Sequence, residues 1–79
     1  MKDGTYYFPS KIGKFFIRYN KELDRWNLGM GEEIYGNYDT ADDAADDVYC
    51  HATGCHEWDS LDGKVKNVPD SVSDWDLSA

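Results

Sequence analysis

No stretch of this chain approaches the roughly 18 consecutive apolar residues of a membrane-spanning helix, so no crossing segment is expected. Proline is scarce, with only Pro9 and Pro69, and no Pro-rich or Gly/Ser-rich linker divides the chain. Cysteine is scarce too. Cys50 and Cys55 stand five positions apart, and a bridge closing so short a loop would add little stability, so no disulfide framework is expected. Met1-Lys2-Asp3-Gly4-Thr5 carries no apolar run of a secretory leader, which makes the cytoplasm, where thiols stay reduced, the expected compartment. There is no glycine loop of the phosphate-cradling kind and no internal repeat. Positive charge is in short supply: eight Lys and Arg face sixteen Asp and Glu, for a net charge of −8 and a pI near 4.4. Affinity for nucleic acid that rests on neutralising phosphates is opposed by that balance.

What the chain has in quantity is aromatic side chains: three Trp, six Tyr and three Phe in 79 residues. A disordered segment would have few, so a folded core is expected. Seventy-nine residues allow one small domain, residues 1–79, with stability that depends on efficient packing.

The hydrophobic period changes along the chain. Thr5-Tyr6-Tyr7-Phe8 reads as a short strand stopped by Pro9, and Ser10 to Gly13 as a turn. In Lys14-Phe15-Phe16-Ile17-Arg18-Tyr19 the odd positions share one face and Lys14, Phe16 and Arg18 the other. After a polar connection over 20–24, Arg25 to Met30 alternates with Trp26, Leu28 and Met30 on the apolar face, which predicts an antiparallel hairpin. Residues 33–38 are extended and add a short strand or none. Helical spacing follows. Thr40 is a good N-cap, Asp42 and Asp43 suit the first turn, and Ala41, Ala44, Ala45, Val48, Tyr49 and Ala52 form one stripe, ending at Gly54. The fold class expected is α+β: a three-stranded antiparallel sheet within residues 4–38, or four strands, packed on one helix at about 41–53. The tail, 55–79, would pack on this body through Trp58, Trp75 and scattered Val and Leu, with a short helix after Pro69.

Charge is distributed unevenly. Residues 1–25 hold six Lys and Arg against three acids, whereas 26–79 hold two against thirteen. Lys14, Arg18, Arg25 and Asn27 fall on the sheet face opposite the apolar one, with Phe16 available there to stack on a partner. Asp42, Asp43, Asp46 and Asp47 fall off the helix stripe. The expectation is a dipolar domain with a mildly basic sheet wall and an acidic helix wall. An ordinary solvated surface explains both runs equally well.

The run Tyr35-Gly36-Asn37-Tyr38-Asp39-Thr40-Ala41-Asp42-Asp43-Ala44-Ala45, leading from a strand into an alanine-striped helix, resembles plant ethylene-response-factor DNA-binding domains. It is similar also to the arm-type DNA-binding domains of tyrosine integrases. Both use a Gly-x-aromatic-x-Thr/Ser entry to a helix behind a three-stranded sheet. The resemblance covers about residues 4–54 and implies that the sheet enters a major groove, with Lys14, Arg18, Arg25 and Asn27 as the contacting positions.

The only local cluster of soft ligands is Cys50-His51-Ala52-Thr53-Gly54-Cys55-His56. Zinc needs about four ligands converging at roughly 2.0–2.3 Å. Cys50 and His51 diverge as helical neighbours, so no complete metal site is expected from these residues, although two could combine with Asp59 or a second chain. Cys50 is expected to be half-buried, and His51 to pair with Asp47 one turn earlier. No oriented base or oxyanion hole accompanies the thiols, and the paired aspartates lack a calcium-loop pattern. The function expected is therefore non-enzymatic and without cofactor: a small acidic protein-interaction module, acting as an inhibitor or nucleic-acid mimic in the way of some phage-encoded proteins. The alternative is a weak nucleic-acid reader on the basic sheet face. No membrane partner is expected, and a monomer or weak dimer both suit an exposed sheet edge.

Overall fold

Alternating apolar residues make the sheet, and the alanine stripe lays a helix on it. The computed structural model describes residues 4–78. Strands β1 (Thr5–Ser10), β2 (Gly13–Asn20), β3 (Arg25–Met30) and β4 (Glu33–Tyr38) form an antiparallel meander. Helices α1 (Ala41–Tyr49) and α2 (His56–Asp59) follow, then a 3-10 turn at Val72–Asp74 and strand β5 (Asp76–Ser78). The sheet order is β4-β3-β2-β1-β5. It thus has five strands among the described residues, not three or four. The fifth comes from the tail, which pairs antiparallel with β1 through Thr5, Tyr6 and Tyr7.

One face of the sheet is the core. Phe15, Ile17 and Leu28 are fully buried, and Trp26 is half-buried beside them. From α1 come Ala41, Ala44, Ala45 and Val48, all buried. Three methyl side chains let the helix lie close to the sheet, so the strand aromatics fill the space between. Fully burying one large apolar side chain contributes about 1.5–3 kcal/mol.

Local chemistry sets the ends of these elements. Asn20 Oδ1 accepts from the Glu22 and Leu23 amides at 3.1 and 3.3 Å, closing the β2–β3 turn. β1 does not stop at Pro9 but runs on to Ser10. Pro9 is tolerated because β5 covers only residues 5–7, so the missing N–H lies beyond that ladder. Between β3 and β4 the register slips: Leu28 faces Gly36, but Gly29 faces Ile34. The extra residue, Tyr35, is turned into the core against Phe15, and Ile34 stands half-exposed on the opposite face.

Thr40 caps α1 as expected, its Oγ1 accepting from the Asp43 amide at 3.0 Å. The helix ends earlier than expected, at Tyr49, and Gly54 plays no part in its cap. His51 instead takes the left-handed position, φ 55°, with its amide donating to Val48 O (3.2 Å) and the Ala52 amide to Asp47 O (2.9 Å). This is a Schellman ending built on histidine, where glycine is usual. The His51 ring lies flat on Trp58, centroids 4.5 Å apart. That stacking supplies what a glycine cap would lack.

Trp58 is the centre of the tail's anchorage. It is fully buried, meets Phe15 and Phe8 edge-on at 5.2 and 6.1 Å, and donates its indole N–H to Val48 O at 2.9 Å. The Asp59 carboxylate holds the preceding loop, accepting from the Thr53 amide and hydroxyl and from the Gly54 amide at 2.8–3.0 Å. Further on, Val72 and Trp75 are buried, with Trp75 5.5 Å from Phe8. The radius of gyration is 11.5 Å, close to the ~12 Å expected for a folded domain of this length, so the tail is part of the same body.

Tyr38 links sheet to helix by donating its phenol to Asp47 Oδ2 at 2.8 Å. Burial first, and then that carboxylate, push its pKa well above the ordinary phenol value. Tyr35 is raised too, chiefly by its hydrogen bond with Cys55. In the unfolded chain both phenols ionise normally, near pH 10. Their contribution to stability is therefore complete below about pH 10 and is lost as pH rises beyond it. Tyr38→Phe is expected to lose about 1 kcal/mol at pH 8 and to show a shallower decline between pH 9.5 and 11, measured by urea unfolding. An unchanged alkaline slope would show that this phenol is not the group responsible.

Candidate functional site

Three surfaces carry polar groups in a form that a partner could use. The first is the open face of the sheet. Cross-strand rows place Asp76, Tyr7, Phe16, Gly29 and Ile34 side by side, and next to them Ser78, Thr5, Arg18, Asn27 and Asn37. Lys14 extends over the Tyr7 ring, 5.3 Å from its centroid, and Arg18 covers Phe16 at 4.5 Å. Lys14 and Arg18 are exposed and Asn27 is half-buried.

One expectation for this face is corrected. Phe16 offers no stacking surface. It is only 6% exposed, because the missing side chain of Gly29 gives its ring a place to lie and Arg18 closes over it. Arg25 is engaged within the protein. Its guanidinium reaches Asp39 and Asn37 at 2.5 Å each and also the Asn37 carbonyl. It ties the β3 start to the end of β4, and its charge is compensated. Asp76, delivered by β5, adds a carboxylate to the same face. Among the described residues, the cations of this face without a carboxylate partner are Lys14 and Arg18.

The second surface is the outer side of α1. Asp42, Asp43 and Asp46 are exposed and Asp47 is half-buried. Two of the four do internal work. Asp42 accepts from the Val72 amide at 3.0 Å and the Ser71 hydroxyl at 3.3 Å, docking the tail on the helix, and Asp47 receives Tyr38. Asp43 and Asp46 have neither a cation nor a side-chain hydrogen bond among the described residues. The segment that Asp42 docks also carries Asp70 and Asp74, both exposed.

The third surface, which the sequence reading missed, is an open groove of about 700 Å³ at the C-terminal end of α1. Tyr49, Cys50 and His51 form one side, and Asp62, Lys66 and Val68 are among those on the other. His51 does not pair with Asp47. Its side chain is 4% exposed, neither ring nitrogen has a hydrogen-bond partner, and its nearest carboxylate is Asp62, 3.9 Å from Nδ1. Asn67, like His51, is left-handed (φ 64°). The Asp62-Gly63 turn and the two valines were the only hints of this groove in the sequence, since backbone conformation at His51 and Asn67 leaves no pattern.

The soft-ligand cluster is dispersed. Cys50 is exposed rather than half-buried, because the helix ends before it, while Cys55 is buried beside Tyr35 and His51 faces Trp58. Among the described residues no three of His, Cys, Asp and Glu come together to hold a metal ion. Local desolvation and the carboxylates of Asp46, Asp47 and Asp62 push the Cys50 thiol upward, away from the reactive thiolate. No described helix is long and apolar enough to cross a membrane. Comparison of the chain with protein-family models, with curated proteins and with solved structures finds no match.

Proposed function

We propose that this chain is a non-enzymatic interaction module that presents the acidic wall of α1 to a basic protein surface, as an inhibitor that stands in for nucleic acid would. The observation that carries the reading is the exposed and uncompensated state of Asp43 and Asp46 on the helix that also carries the exposed Asp42, in a molecule whose Arg25 is already paired with Asp39. An uncompensated field of this kind raises association rates with oppositely charged surfaces and weakens with salt.

Affinity capture tests it. Immobilised protein is expected to retain a basic partner from its source lysate at about 50 mM salt and to release it at a few hundred millimolar, as screening requires. Asp43→Asn with Asp46→Asn is expected to lose that partner, since both side chains are exposed and without structural bonds. A partner held equally by the double variant removes α1 from the interface. Fluorescence anisotropy with duplex and single-stranded oligonucleotides at about 50 mM salt is expected to show no binding. Duplex binding that Lys14→Glu with Arg18→Glu abolishes would move the function to the open sheet face. Arg25 is left alone in that test because it holds Asp39.

A further inference from the structure

We infer that Asp62–Gly63 is a site of spontaneous covalent modification, where the main chain passes through a succinimide and reopens as isoaspartate. The inference does not depend on the interaction-module reading or on any partner.

The chemistry needs only the chain and water. The Gly63 amide nitrogen bonds to Asp62 Cγ, the neutral carboxyl loses its hydroxyl together with the amide proton as water, and a five-membered ring closes. Water then adds to one of the two ring carbonyls. Opening at the first restores aspartate. Opening at the second routes the main chain through Cβ and leaves the carboxylate on Cα. One water is released and one is taken up, and nothing is oxidised or reduced.

The turn leaves the attacking nitrogen free. The Lys64 amide donates to Leu61 O at 2.8 Å, and Gly63, with φ 79°, holds the third position of a four-residue turn that requires positive φ there. The turn is thereby closed at its ends. Its central peptide unit is not: among the described residues the Gly63 amide donates to no backbone group and the Asp62 carbonyl accepts from none. Glycine fits both common turn types, which differ by a flip of that peptide, with ψ at the second position near roughly 120° in one and roughly −30° in the other. The flip sweeps the Gly63 nitrogen past the Asp62 side chain.

Space and water favour the same residue. The Asp62 side chain is 76% exposed, and a Cβ added at Gly63 would meet nothing within 4 Å, so no packing opposes the ring. Other candidates are worse placed. The four asparagines precede Lys21, Leu28, Tyr38 and Val68, whose side chains crowd such a ring. The Asp59 carboxylate is held by Thr53 and Gly54. In the further Asp-Gly pair, Asp3-Gly4, Asp3 lies outside the described residues. Isoaspartate at 62 adds one main-chain carbon to the turn and withdraws the carboxylate from its place 3.9 Å from His51 Nδ1.

The test is incubation of the intact protein in neutral buffer at physiological temperature for several weeks. Peptide mapping with electron-transfer fragmentation then separates isoaspartate from aspartate at equal mass. Isoaspartate is expected to accumulate at residue 62, with a small population one water lighter. A free peptide of residues 59–66 sets the unrestrained rate, and the folded protein is expected within about fivefold of it. Gly63→Ala is expected to slow the conversion about fivefold, by crowding the ring and restricting positive φ. Asp62→Asn is expected to reach the same isoaspartate several-fold faster, releasing ammonia in place of water. Both positions are exposed, and circular dichroism will show that each variant is folded. Aspartate that persists at 62 while the free peptide converts would show that the turn locks the amide, and would overturn the inference. An unchanged rate in Gly63→Ala, or isoaspartate spread evenly over the other aspartates, would overturn it as well.

Discussion

Replacing Trp58 with alanine is expected to lower the stability of the fold by about 3–5 kcal/mol, a large share of the total. The indole is fully buried and touches Phe8, Phe15 and His51, and its N–H satisfies the Val48 carbonyl. Truncating a buried aromatic of this size costs about 3–5 kcal/mol, from lost burial and from the cavity left behind. A domain of 79 residues has only roughly 4–12 kcal/mol in total. The loss is larger than volume alone would make it, because the His51 cap of α1 rests on this ring. Circular dichroism through a denaturant titration is the measurement. Trp58→Phe, which keeps a ring but removes the donor, is expected to cost about 1–2 kcal/mol. A cost below about 1 kcal/mol for the alanine variant would mean that the tail does not belong to the core.

Gly29→Ala is expected to be nearly as damaging, for the opposite reason. A Cβ there would lie 2.3 Å from the Glu33 carbonyl oxygen and 2.6 Å from Phe16 Cζ. The phenylalanine ring can tilt, but the carbonyl belongs to the β3–β4 ladder at its bulge and cannot move without breaking register. Overpacking of this kind costs about 1–3 kcal/mol, and the backbone contact places it at the upper end. Gly31→Ala is the control. Gly31 has φ 62° but open space around it, so it is expected to lose only about 1 kcal/mol through conformation. Adding Phe16→Leu to Gly29→Ala is expected to recover part of the loss and leave the carbonyl clash in place. Full recovery would show that the ring, not the ladder, is the obstacle. Because Arg18 lies over Phe16, the same pair of variants reports on how far the open sheet face depends on this packing.

The two middle strands were legible because their apolar residues alternate, and Phe15, Ile17 and Leu28 are indeed in the core. The helix start was legible because Thr40, Asp42 and Asp43 act within one turn of each other. The helix end was not. Gly54 carries the usual local signal, but the chain turned left-handed at His51, where stacking on Trp58, seven residues later, decided the matter. β5 was invisible for a related reason. Asp76, Leu77 and Ser78 are all exposed and have no apolar period of their own, so they become a strand only because β1 has an edge to offer.

The charged site residues divide in the same way. Their placement on two walls could be read from periodicity, but which of them remain available could not. Arg25 is spent on Asp39, fourteen residues on; Asp42 on Val72, thirty residues on; and Asp47 on Tyr38, across from the sheet. By itself the sequence determined the middle strands, the start of α1, the faces they present and the excess of negative charge, because period, capping and composition act over a few residues. Only the tertiary structure decided which side chains are satisfied internally, where Phe16 is hidden and that a groove opens beside His51. Those outcomes depend on which distant segments meet, and a hydrogen-bond partner far along the chain leaves no mark on the residues around either end of the bond.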